Sequence, residues 1–305
     1  MNNSKRTAIS YLFVFIAYAI FGFSFMFTRG ALDAGATPFM LGAVRFTTAL
    51  VILLAAVIVG RIKVSLKGKD LKWLLILGFI QPFVYFIFET YGIAMSPTSF
   101  VGTMLALIPM VSLVMSAVFL KEKVTKLQVI FALISVFGVF LTGMGSQSTG
   151  SFSWVGFLLL IGAVLCAAIF NVLSRKLSDD FSAVERTLVM FILGAVSFGI
   201  CAIIENWGDL GAMLVPMQQG SFWVSILFLS GASSVGAFLM INYAMTYLDV
   251  AKASIFSNLT TVISILAGVL LLSEPFSVWQ AVGSVIIIAS VYFVSRPTKV
   301  PAEKE

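Results

Sequence analysis

The chain has 305 residues, 60% of them apolar and only 10% charged, with a formal net charge of +6, and its mean hydropathy is +1.08. A soluble globular domain carries roughly 25% charged residues, so this is membrane composition. The basic surplus lies between apolar runs, where it bears on orientation, and it implies no nucleic-acid partner.

Residues 1–7 are short, polar and basic. The apolar stretch that follows is too long for a signal-peptide core and has no small-residue cleavage site, so it reads as a retained span. A helix needs about 20 apolar residues to cross the hydrocarbon core. On that basis ten spans are predicted, at 8–28, 39–60, 71–92, 98–120, 127–144, 153–173, 187–205, 222–247, 251–272 and 278–295. Only Asp249 and Lys252 interrupt the apolar sequence between the eighth and ninth spans. Fusing those two would give nine spans and reverse the C-terminus. Cys166 and Cys201 fall at different depths and are predicted as unpaired thiols.

Charge decides between the two counts, because cytoplasmic loops are enriched in Lys and Arg. With ten spans and the N-terminus inside, the inner face collects Lys5, Arg6, Arg61, Lys63, Lys67, Lys69 and Lys72. It also takes Lys121, Lys123, Lys126, Arg175, Lys176, Arg186 and Lys252, then Arg296, Lys299 and Lys304. The outer loops receive only Arg29, and the loop after the seventh span carries Glu205 and Asp209. Both termini are therefore expected in the cytoplasm.

Rare polar residues recur in register along the chain. The offset that carries Tyr91 onto Tyr243 also carries Glu122 onto Glu274, Gln128 onto Gln280 and Ser112 onto Ser264. Five spans per half is an odd number, so the second half must enter the membrane from the opposite side. The expected fold is an all-α integral membrane protein of about ten transmembrane helices in two inverted five-helix repeats, 1–146 and 147–305. Such repeats place a site near the bilayer midplane and allow alternating access by rocking.

Residues 91–141 and 243–293 resemble the second part of the repeat in the drug/metabolite transporter superfamily, EamA-like branch. The resembling features are Tyr243-Ala244-Met245, Pro109 inside the fourth span, the Leu-x-Glu endings at Glu122 and Glu274, and Gln128 and Gln280 opening the next spans. Ser24, Arg29 and the stretch from Pro38-Phe39 to Arg45-Phe46 are similar to that family's first two spans. The resemblance implies a ten-helix secondary transporter that moves small metabolites, often amino acids, outward across the cell inner (cytoplasmic) membrane. Two departures stand out. Thr261 occupies the position matching Pro109, which predicts a ninth span without the corresponding kink, and Phe21 stands where a Trp is common.

Arg45 is the sharpest candidate for a substrate contact, about 9 Å inside the outer end of the second span at 1.5 Å per residue. A charge at mid-span costs roughly 2.5–3.5 kcal/mol on insertion scales and faces protein or water. Glu89 lies at comparable depth in the third span. Either the two bind substrate, with Glu89 titrating as protons flow, or they pair and lock the spans together. Asn171, Asn242, Asn258 and Gln81 either line a cavity or tie helices; Tyr18 and Tyr85 either stack on a substrate or fill interfaces. Glu122 and Glu274 sit at span ends, where a carboxylate meets the positive end of the following helix.

Other functions fit less well. The chain has no His, which removes zinc-protease motifs, Ser–His pairs and imidazole relays together. No filter ring of like charges suggests a channel, and no cofactor or metal set is expected. The first span holds no acidic residue, which argues against an exporter of apolar cationic drugs. Arg45 favours substrates bearing a negative group, such as amino acids, with nucleotide-sugar or phosphate-ester exchange as the alternative.

Overall fold

The computed structural model describes residues 3–60, 62–95, 101, 104–145, 153–271 and 277–295. Among these residues every regular element is helical: ten longer helices follow one another, with two short 3-10 helices, Leu210–Leu214 and Pro216–Gln218, between the seventh and the eighth. The ten are α1 Asn3–Asp33, α2 Pro38–Val59, α3 Lys72–Met95, α4 Ile108–Leu120, α5 Lys126–Gly145 and α6 Trp154–Lys176. The rest are α7 Ala183–Glu205, α8 Gly220–Tyr247, α9 at 250–271 and α10 Val278–Ser295. Six of the ten (α1, α2, α3, α6, α7 and α8) are long and apolar enough to cross a membrane, and α4, α5 and α10 contain shorter apolar stretches. Large apolar side chains such as Phe119, Phe137, Leu158, Ile200, Val224 and Val285 stand exposed on the outside of the bundle, where lipid takes the place of a core.

The eighth and ninth helices are separate. Leu248 is extended after α8, and Asp249 occupies the N-cap position of α9. The predicted first span is too short, because α1 continues through Asp33. Arg186, assigned from sequence to an inner loop, lies in the first turn of α7 and is fully buried. The Ser182–Glu185 capping box starts that helix earlier than the apolar run does. Cys166 and Cys201 are both free thiols.

Helix pairing follows a two-fold pattern. α2 packs on α7 and α5 on α10, each helix on its own counterpart. The contact of α1 with α9 is matched by that of α6 with α4, and the contact of α1 with α8 by that of α6 with α3. Counterparts run antiparallel: Thr37 at the start of α2 donates to Glu205 at the end of α7 (2.5 Å). At the crossing of α2 and α7, a Cβ on Gly42 would lie 2.4 Å from the Phe198 ring, and one on Gly194 would lie 3.1 Å from the Phe46 ring. Phe46 and Phe198 themselves stack, with centroids 5.8 Å apart. Gly42 maps onto Gly194, and Phe46 onto Phe198, by the same offset that maps Tyr91 onto Tyr243.

The π segments of α3 and α8 overlap under the same offset. α3 is interrupted by a π segment at Phe79–Val84, where Gln81 leaves helical geometry (φ −136°, ψ 118°) before Pro82. α8 carries a π segment at Phe228–Ala237. A turn at 106–107 precedes α4, and α9 tightens into a 3-10 turn at Ile255–Asn258. The backbone keeps right-handed helical angles at both ends of that turn (Ser254 φ −66°, ψ −30°; Leu259 φ −62°, ψ −29°), so α9 tightens there without leaving the helix. The tightened turn sits just before the crossing of α1 and α9, where the bare Gly22 lets the Thr260 carbonyl come within 2.9 Å of where a Cβ would stand. Thr260 also donates to the Tyr18 carbonyl (3.2 Å) and Ser264 to the Gly22 carbonyl (2.9 Å). Packing, rather than a missing N–H, accompanies this tightening.

Candidate substrate cavity and the contacts between the halves

The broken helices enclose a central cavity of about 760 Å³, open space at its edges included. Six of the eight residues singled out from sequence line it: Tyr18, Arg45, Gln81, Tyr85, Glu89 and Asn171. The walls are aromatic, with Phe21, Phe25, Phe86, Phe170 and Phe238, and Ser257, Thr260 and Thr261 add hydroxyls from α9. Several lining pairs are counterparts under the repeat offset: Tyr18 and Phe170, Phe86 and Phe238, Leu105 and Ser257, Glu89 and Ile241. The cavity therefore lies at the junction of the halves. Both of its charges, Arg45 and Glu89, come from the first repeat, while the second supplies apolar, hydroxyl and amide groups.

Arg45 is 4% exposed and Glu89 6%, yet among the described residues they form no ion pair within 4.0 Å. Arg45 instead reaches across to α8, where its Nε donates to Ser234 Oγ (2.9 Å) and its Nη2 to Ser233 Oγ (3.0 Å). Ser230 Oγ donates back to the Arg45 carbonyl (2.9 Å). The guanidinium also lies over Phe86, 4.3 Å from the ring centroid. Nη1 makes no hydrogen bond among the described residues. On α3, Tyr85 donates its hydroxyl to Glu89 Oε1 at 2.6 Å, one helical turn away, and among the described residues no donor reaches Oε2. Each charge is thus steadied by neutral groups and keeps one edge uncommitted. The three serines are not among the candidates read from the sequence.

The other two sequence candidates stand outside the cavity lining. Asn242 accepts from Ser174 (2.7 Å) and donates to Thr187 (2.9 Å), tying α6, α7 and α8 together. Beside it the buried Arg186 donates to the Ser174 carbonyl and hydroxyl, to the Asn242 carbonyl (2.5 Å) and to Thr246 Oγ1 (2.8 Å). Asn258 donates to Ser135 Oγ of α5 at 2.6 Å. Asn171 does both jobs, lining the cavity while donating to Ser112 of α4 at 3.0 Å.

The Leu-x-Glu ending of α4 also finds a place. Lys121 takes a left-handed conformation (φ 54°, ψ 30°), costing about 1–2 kcal/mol for a residue with a Cβ. That turn aims Glu122 at the second repeat, where both carboxylate oxygens accept from the Val250 N–H that opens α9 (3.3 and 3.1 Å). Arg175 Nε stands 3.8 Å from the same carboxylate. Its Nη1 donates to the Thr246 carbonyl at the end of α8 (3.1 Å). Glu122 does meet a helix N-terminus, but the one of α9 rather than that of the helix following in sequence. Burial pushes the Glu122 carboxyl above its ordinary range, the Val250 N–H and Arg175 pulling it back. A second tie joins the halves nearby: Glu185 of α7 accepts from Lys69 Nζ (3.1 Å) and from the Ser65 N–H (2.8 Å). Glu274, the repeat counterpart of Glu122, lies outside the described residues.

Comparison with known proteins agrees with this architecture. The model of the EamA-like transporter family matches residues 8–144 and again 154–296. The chain is 30% identical to the uncharacterized transporter YcxC of Bacillus subtilis (strain 168), over 92% of this chain and 91% of that one. It is 24% identical to phosphoenolpyruvate/phosphate translocator 1, chloroplastic, of Oryza sativa subsp. japonica, over 91% of this chain and 71% of the other. A solved crystal structure shares the fold with a TM-score of 0.77 at 20% identity, covering 92% of this chain and 94% of that chain.

Proposed function

Because the chain belongs to the EamA-like transporter family, we propose that this multi-pass membrane protein exports small zwitterionic metabolites of the amino-acid class. Export runs by alternating access between the halves 1–146 and 147–305, in the cell inner (cytoplasmic) membrane. One observation carries the reading: a buried arginine and a buried glutamate share one cavity without being spent on each other. The uncommitted Nη1 of Arg45 suits a carboxylate, and the free Oε2 of Glu89 suits an ammonium group. Glu89, hydrogen-bonded by Tyr85, is the group a coupled proton would occupy. The absence of a nucleotide-binding Gly-Lys motif from the sequence fits a gradient as the energy source.

Phosphate-ester exchange is the second reading, favoured by the likeness to the plastid translocator. Against it stands the cavity itself, which offers one arginine and no lysine among its lining residues. An exporter of apolar cations fits less well with Arg45 in the wall. The test is uptake of labelled amino acids by purified protein in liposomes, with and without a pH gradient. Saturable, gradient-sensitive uptake is expected, with loss of affinity in Arg45→Ala and loss of pH dependence in Glu89→Gln. Silence across amino acids together with exchange of phosphate esters would overturn the proposal in favour of the second reading.

A further inference from the structure

At the end of the bundle where Lys and Arg crowd, one tryptophan stands beside two ammonium groups. Trp73, in the first turn of α3, is 41% exposed. Lys176, the last residue of α6, holds its Nζ 4.5 Å from the centre of the indole, and Lys72 holds its own at 6.0 Å. Both lysines are exposed, and among the described residues no carboxylate lies within 4.0 Å of either ammonium. The groups around them are engaged elsewhere. Lys69 pairs with Glu185 (3.1 Å) and Arg175 turns to Glu122 (3.8 Å). Asp70 accepts from the Lys72 N–H (3.0 Å), which covers the start of α3. That start lies against α6, so each repeat contributes one of the two lysines.

Leu75 and Phe79, three and seven positions after Lys72, are 47% and 50% exposed, and that spacing puts them on the same face of α3. An apolar stripe facing lipid thus ends at two unpaired cations and an indole. Tryptophan settles at the headgroup level of a bilayer, and lysine stems run along apolar surface to bring their charge there. We propose that Lys72, Trp73 and Lys176 form a binding site for an anionic phospholipid, with the headgroup held by the two ammonium groups and an acyl chain along Leu75 and Phe79. A phosphodiester without a cation of its own answers both lysines, whereas a zwitterionic headgroup carries its own ammonium. The bound headgroup bridges the joint between the halves.

The probes are phosphatidylglycerol and phosphatidylcholine with brominated acyl chains, which quench tryptophan on contact. They are titrated into liposomes holding the full-length protein with Trp73 as its only tryptophan. Half-quenching by phosphatidylglycerol is expected at a mole fraction at least about fivefold lower than by phosphatidylcholine. Lys72→Gln and Lys176→Gln should each lower that preference about fivefold, the equivalent of about 1 kcal/mol per lysine at a membrane surface. Lys126→Gln, which removes an exposed lysine at the start of α5, should leave it unchanged. Thermal unfolding in detergent checks that each variant is folded. Should the single-tryptophan chain unfold, the emission lost on Trp73→Phe in the natural chain gives the same readout. Equal quenching by the two lipids would overturn the proposal. So would a preference that falls as far in Lys126→Gln, which is diffuse attraction to the whole face, or one abolished by inorganic phosphate at matched ionic strength, which makes this a site for a free anion.

Discussion

Arg45 shows how one buried charge is held by neutral chemistry. A guanidinium has a planar fork of donors, and here two of its nitrogens reach adjacent serines on another helix while its face lies over Phe86. Lysine has a single compact ammonium and cannot reproduce the fork. Arg45→Lys should therefore lose roughly tenfold or more in apparent substrate affinity, corresponding to at least about 1.4 kcal/mol, although it keeps the charge. Concentration dependence of uptake in liposomes checks this, and an unchanged half-saturation value would remove Arg45 from the site. The charge itself was legible as the lone Arg in an apolar span, but its partners were not. Ser233 and Ser234 are 188 and 189 positions away, and short hydroxyls in a Gly-containing run carry no local mark of a tertiary bond. The asparagines teach the same lesson. Asn171 faces the cavity and Asn242 a helix interface, and in helices apolar on every side no polar stripe distinguishes them.

At the scale of elements, breaks and ties decide which parts can move. Glu122 connects the end of α4 to the start of α9, and through Arg175 to the end of α8. It thereby joins the two halves on the face predicted to be cytoplasmic. Glu122→Gln keeps an acceptor for the Val250 N–H but deletes the charge facing Arg175. The expected outcome is a cytoplasmic face that opens more often. Spin labels at positions 123 and 179, one on each half and both exposed, would report it in a Cys166→Ser, Cys201→Ser background. The distance distribution should broaden toward longer separations, and an unaltered distribution would reduce Glu122 to a local cap. The position of Glu122 at a helix end was readable from sequence. The helix it caps was not, because helix-end electrostatics are local rules while α9 arrives from the other repeat. The tightened turn of α9 escaped for a related reason: a close crossing at Gly22 leaves no local mark in the sequence.

For the whole molecule, the repeat offset extends well beyond the stretch in which polar residues reveal it. Gly42, Phe46, Gly194 and Phe198 obey it in α2 and α7, where glycine and phenylalanine are too common in membrane helices to count as a signal. These four residues form one two-fold contact, so damage to either side should be felt at the same joint. Gly42→Ala, forced against Phe198, should destabilise the protein by about 1–3 kcal/mol as overpacking does, seen as earlier thermal unfolding in detergent. Phe198→Leu should restore part of the loss. The antiparallel course of α2 and α7 makes a further, geometric demand. Thr37 and Glu205 touch, as do Ser65 and Glu185, and these two contacts lie at opposite ends of the helix pair. With Lys and Arg crowded into the loops at the second end, the positive-inside rule puts that end in the cytoplasm. In a cysteine-free background, Thr37→Cys should react with a membrane-impermeant maleimide added to intact cells. Ser65→Cys and Glu305→Cys should react only after permeabilisation. Labelling of position 305 from outside would reverse the C-terminus, breaking the even count of crossings on which the inverted repeat depends.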